Sequence, residues 1–126
     1  MKQKKTLEDY LKTIYILQRK NGNVRGIDIA TALNVSRPTV CVTLRELEEE
    51  GYVCLDEHRR VLLTERGESI AGETHERNQT FFNLLITLGL DEQTASADAC
   101  RLEHSVSAAS FDAFKKLTLK LGEQDL

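Results

Sequence analysis

Residues 34–51 read NVSRPTVCVTLRELEEEG, and this stretch decides the fold. Val40, Thr43, Leu44 and Leu47 recur at the spacing that puts side chains on one face of an α-helix. Ser36 stands where a hydroxyl can cap the unpaired N–H groups of a first turn. Pro38 falls inside that turn, where its missing N–H costs no hydrogen bond. The NVS before it has the composition of a tight turn. A capped helix entered through so short a turn is the second half of a helix-turn-helix.

Upstream, residues 27–34 (IDIATALN) predict a short helix with Ile29, Ala30 and Leu33 inward and Gly26 as its N-cap. Before it, TLEDYLKTIYILQRKNGN (residues 6–23) carries the apolar stripe Leu7, Tyr10, Leu11, Ile14 and Leu17. Thr6 and Asp9 have capping-box spacing, and NGN ends that helix. Downstream, YVCLDEHRRVLLT (residues 52–64) holds two β-prone runs, 52–55 and 61–63, around a polar turn, which predicts a hairpin. A long helix is then expected from Thr64 to near Gly89, another from Asp91, and a last one with Phe111, Phe114, Leu117 and Leu121 on one face. The fold class is mainly α. Residues 1–66 form a winged helix-turn-helix of three helices and a β-hairpin wing, and residues 67–126 a helical second domain.

Such a wing and helix present a DNA-reading surface. The third helix would enter the major groove by its N-terminal end, which offers Ser36, Arg37, Pro38, Thr39 and Thr43. Arg25 and the hairpin-tip residues Arg59 and Arg60 are placed for phosphate or minor-groove contacts. Charge fits this division. Residues 1–66 carry 12 Lys/Arg against 10 Asp/Glu, and residues 67–126 carry 5 against 10, so a mildly basic front joins an acidic back.

The remaining composition narrows the classes. At 40% hydrophobic and 29% charged, the 126-residue chain is an ordinary globular sequence. Its longest nearly apolar run, residues 81–90, is too short for a bilayer and contains Asn83 and Thr87. The basic N-terminus is not followed by the apolar core of a signal peptide, so a cytoplasmic protein without membrane contact is expected. Cys41, Cys54 and Cys100 are odd in number, which favours reduced thiols; Cys41 and Cys54 are read as packing residues. No nucleophile–base pair, phosphate loop or hydrolytic metal motif points to an enzyme.

The stretch CRLEH, residues 100–104, raises a separate question. Cys100, Glu103 and His104 would share one helical face, which is either a metal-binding triplet or a buried cysteine beside two solvated residues.

LEDYLKTIYIL, IATALNVSRPTVCVTLRELEEEGYV, LLTERG and ACRLEH occur together in this order. In this the chain resembles the metal-dependent repressors of the diphtheria-toxin-repressor family, in its short form without the SH3-like domain. The resemblance implies a homodimer, with the second domain providing dimerisation and metal binding. Phe81, Leu84, Leu85 and Leu88 are candidates for the dimer surface or for internal core. It further implies a palindromic DNA operator, no small organic ligand, and a metal site of Asp9, Cys100, Glu103 and His104. That mixed soft and hard donor set favours Fe(II) and also admits Mn(II), Zn(II) or Co(II). The chain departs from the family at Lys12, where the manganese branch has a glutamate, and at Asn78, where it has a histidine. A regulator that has lost metal control is the alternative.

Overall fold

The computed structural model describes residues 3–124. In chain order it contains α1 (Lys4–Asn21), α2 (Gly26–Leu33), α3 (Arg37–Glu49), β1 (Val53–Leu55), β2 (Val61–Leu63), α4 (Glu65–Thr87), α5 (Glu92–Leu102) and α6 (Ala108–Gln124). Two compact units, residues 1–73 and 74–126, divide the chain inside α4. The first unit takes in the opening turns of α4 because Ala71 joins its core.

The helix starts follow their local chemistry, with two corrections. α1 begins at Lys4 with Gln3 as N-cap and no side-chain cap, so the expected Thr6–Asp9 capping box does not form. Lys4 and Lys5 are good helix formers and carry the helix start upstream of Thr6. α2 begins at Gly26 itself, so Arg25 and not Gly26 takes the N-cap position, and the Asp28 carboxylate accepts the Arg25 N–H at 2.9 Å. It ends at Asn34, whose left-handed φ of 54° a small polar side chain tolerates. Ser36 then caps α3: its hydroxyl oxygen accepts the Thr39 N–H at 3.3 Å, and the two hydroxyls lie 2.8 Å apart.

The core of the first unit gathers the expected stripes. Tyr10, Leu11 and Ile14 of α1 pack with Ile29 and Ala30 of α2 and with Val40, Leu44 and Leu47 of α3. Each fully buried Leu or Ile contributes roughly 1.5–3 kcal/mol by leaving water. The wing pairs antiparallel, with Val53 opposite Leu63 and Leu55 opposite Val61. It is fastened at three places. Val61 N–H donates to Val24 O at 2.7 Å, and Leu55 N–H donates to the Glu48 carboxylate at 3.1 Å. The Thr64 hydroxyl donates to Gly51 O at 2.7 Å. Arg66 closes the same corner through Glu50 O and the Tyr52 hydroxyl, with its guanidinium over the Tyr52 ring.

In the second unit, Phe81 of α4 is buried and meets Phe111 and Phe114 of α6 at centroid distances of 6.0 and 5.3 Å. Arg77 donates to Val106 O at 2.7 Å and reaches over the Phe111 ring. Asp91 caps α5 by accepting the Thr94 N–H at 3.1 Å. Phe81 and Leu84 are therefore core, whereas Leu88 is 65% exposed. Along α6, the expected apolar face is only partly covered: Phe114 and Leu117 are exposed, while Phe111 and Leu121 are half-buried.

Candidate nucleic-acid interface and metal centre

The front unit presents α3 and the wing around a groove of about 470 Å³. Arg37, Cys41 and Arg45 line it from α3, spaced four residues apart and hence on one helix face. Arg25 and Arg59 line it from the start of α2 and from the wing tip, and Ile27 and Leu55 provide apolar surface. Four guanidinium groups against the Glu48 carboxylate leave this groove with an excess of positive charge in a chain whose net charge is −3. Arg45 joins the expected arginines at this groove, and its spacing of eight residues from Arg37 places it toward the same side of α3.

The structure sorts the expected DNA contacts. Arg25, Ser36, Arg37, Pro38, Thr39 and Arg59 are exposed. The Ser36 and Thr39 hydroxyls also serve each other and the helix start. Thr43 is a correction. It is 1% exposed, on the stripe of α3 that faces the core, so its hydroxyl is not offered to a partner. Arg60 is a second correction. Its Nε donates to Asp56 Oδ2 at 2.6 Å and its N–H to Asp56 Oδ1 at 2.9 Å, so it holds the wing turn together. These bonds keep the Asp56 carboxyl below its usual range, the Arg60 N–H foremost, against a partial desolvation that pushes it up. Arg59, at φ 62°, turns outward instead. Cys41 and Cys54, expected to be packing residues, are exposed.

In the second unit, α5 ends at Leu102, so Cys100 is helical while Glu103 is its C-cap and His104 lies in the following turn. Glu103 keeps helical backbone angles (φ −58°, ψ −25°), so the expected spacing survives the helix end. The Glu103 side chain is fully buried, and its Oε2 lies 3.9 Å from His104 Nε2. Asn78, from α4, donates its amide to Glu103 Oε1 at 3.1 Å and reaches Cys100 Sγ at 3.6 Å. One amide thus spans two of the expected donors. Cys100 is exposed, which removes the reading of it as a buried core thiol. Asp9 belongs to α1 of the first unit and is half-buried there.

Residues 3–61 match the family described as "Iron dependent repressor, N-terminal DNA binding domain", and residues 64–123 match its "metal binding and dimerisation domain". The chain is 40% identical over 116 residues to the transcriptional regulator MntR of Escherichia coli O157:H7, covering 92% of this chain and 75% of that one. It is 30% identical over 120 residues to the HTH-type transcriptional regulator MntR of Bacillus subtilis (strain 168), covering 95% and 84%. A solved structure described as a manganese-dependent transcriptional repressor complex with manganese superposes with a TM-score of 0.79 at 30% identity. That alignment covers 92% of this chain and 52% of the other, so the chain spans about half the length of that solved relative. Carrying both the DNA-binding and the metal-binding and dimerisation domains, the chain belongs to the iron-dependent repressor family of metal-dependent transcriptional regulators, which are not enzymes.

Proposed function

We propose that this chain acts as a homodimeric repressor whose corepressor is a divalent transition metal, Fe(II) ahead of Mn(II), and whose target is a palindromic operator. The observation that carries the reading is the grouping of a carboxylate and an imidazole at the end of α5, with a thiol joined to that carboxylate through the Asn78 amide. A buried carboxylate and a shielded imidazole are donors that suit a divalent ion, and the donor chemistry therefore fits one. Cys100, Glu103 and His104 would hold it from the second unit, and Asp9 from the first.

When bound, the ion supplies the positive charge that lets several anionic donors share one coordination sphere. Metal occupancy would favour the arrangement of the dimer that is competent for DNA. Two recognition helices on a dimer must match half-sites about 34–36 Å apart, or a multiple of it. Restricting the winged helices to that separation raises the population competent for DNA. The groove arginines would then hold the backbone while the start of α3 meets base edges. Such a protein works where DNA is, in the cytoplasm, and needs no small organic ligand.

The thiol favours Fe(II) over Mn(II). The relatives named for manganese favour the second ion, so metal identity is a direct outcome to read. Co(II) added anaerobically to the full chain should give a thiolate-to-cobalt charge-transfer band that Cys100→Ser removes. DNA binding to a random-core duplex library should require metal and vanish with chelator. Chelator-insensitive DNA binding would instead mark a regulator that has lost metal control.

A further inference from the structure

In its first two turns the outward ridge of α3 is apolar, although Arg45 and Glu49 follow further along it. Val40, Thr43, Leu44 and Leu47 face the core. At about 100° per residue, the direction opposite their mean runs among Pro38, Val42, Arg45 and Glu49, with Pro38 and Val42 filling it in the first two turns. Pro38 is exposed, and Val42 is 50% exposed. Arg37 and Cys41 turn to one flank and, with Arg45 further along the helix, line the arginine groove. In its first two turns the ridge therefore ends in the Pro38 ring and the Val42 methyls, neither of which can donate or accept a hydrogen bond.

We propose that Val42 is a specificity-determining residue that reads thymine through its C5 methyl group. In the major groove, thymine is the base that presents a methyl beside its acceptor, and apolar side chains discriminate by burying against it. The valine methyls would leave water on contact with that methyl. Against cytosine they would face an amino donor and leave it without a partner, so the same residue disfavours a C·G pair. The flanking guanidinium groups set the register by taking phosphates, and the ridge, placed between them and the Thr39 side, meets base edges. This inference rests on the DNA-binding reading of α3 and names the base that α3 reads.

The test begins with the full chain and Co(II), used to enrich duplexes from the random-core library. Each thymine of the enriched duplex is then replaced singly by deoxyuridine, which removes only the C5 methyl. Affinities are measured for the natural chain and for Val42→Ala. Alanine is a better helix former than valine and Val42 is half exposed, so the variant should fold, which circular dichroism checks. At one thymine in each half-site, uracil should weaken binding of the natural chain about fourfold, the worth of burying one methyl. In Val42→Ala that penalty should disappear at the same position and persist at any other sensitive thymine. A natural chain indifferent to every uracil, or a penalty unchanged in Val42→Ala, overturns the proposal while leaving sequence-specific binding intact. A library that yields no enriched sequence overturns the parent reading, and the proposal with it.

Discussion

A Cβ placed on Gly67 would stand 2.0 Å from the Tyr52 carbonyl oxygen, a backbone atom that cannot swing aside. Gly67 N–H also donates to the Thr64 hydroxyl at 3.1 Å, which draws the first turn of α4 against the wing. Gly67→Ala should therefore cost about 2 kcal/mol or more, because the helix start has to back away from the Tyr52 carbonyl. Urea unfolding of the two proteins measures this, and equal midpoints would show that the corner relaxes freely. Asn78 sets a second prediction. Its amide meets both Glu103 and Cys100, so Asn78→His would put an imidazole where only a neutral amide now stands. If the donors around it hold a metal, affinity for Mn(II) should rise roughly tenfold or more, as expected when a ligand is added. Calorimetric titration of both proteins decides it; unchanged affinity would place the ion elsewhere. Residue identity alone did not reveal these roles. Nothing in the letter N at 78 says which side chains its amide will touch.

At the level of elements, the α3 start was legible because every signal there is local. Ser36 and Thr39 are three residues apart, and their contact needs no distant partner. Ser36→Ala should lower stability by about 1 kcal/mol, the usual worth of such a cap, while leaving Pro38 to fix the first turn. Thermal and urea unfolding at matched pH read that loss. The wing turn is held differently. Asp56 accepts N–H groups from His58 and Arg60 and the Arg60 side chain, so its carboxyl is held below the usual range. A folded value lower than the unfolded one means that this turn's contribution is fully present above the ordinary carboxylate pKa. It is lost as pH falls through the lowered folded value. An NMR titration of the Arg60 amide should thus show a midpoint below that of an unperturbed aspartate. Arg60→Gln should raise the midpoint only part of the way, since the backbone N–H donors remain. A midpoint at the ordinary value in the natural chain would mean that the turn is open in solution. Sequence misjudged the start of α2, where Gly26 enters the helix behind Arg25, and the start of α1, where two competent helix formers outweighed a spaced Thr6–Asp9 pair.

The whole molecule leaves apolar side chains uncovered in its second unit. Leu88 is 65% exposed, Leu119 62% and Leu117 45%, in the part of the chain that matches a dimerisation domain. Leu88→Glu should therefore shift the protein toward monomer without unfolding it, since this side chain packs little within its own chain. Sedimentation velocity would report the shift, and a variant that stays dimeric would move the interface off the end of α4. A monomer should also bind a two-half-site duplex more weakly, because the second half-site no longer benefits from effective concentration.

Sequence by itself determined the order of elements, the helix-turn-helix, the hairpin and the stripes that pack the first unit. Those depend on periodicity, caps and turn residues within a few positions of one another. It also brought Cys100, Glu103 and His104 forward as a group, since their spacing is local. Tertiary structure decided which members of each group face solvent and which are already engaged. Thr43 looked available because it lies near the start of α3, yet the packing of α3 against its unit buries it. Arg60 and Arg59 are neighbours in a turn, and only the folded backbone sends one to Asp56 and the other outward. Asn78 and Glu103 meet across 25 residues of sequence separation, a contact that no local pattern encodes. Local chemistry sets an element, whereas long-range packing assigns each side chain to core, partner or solvent.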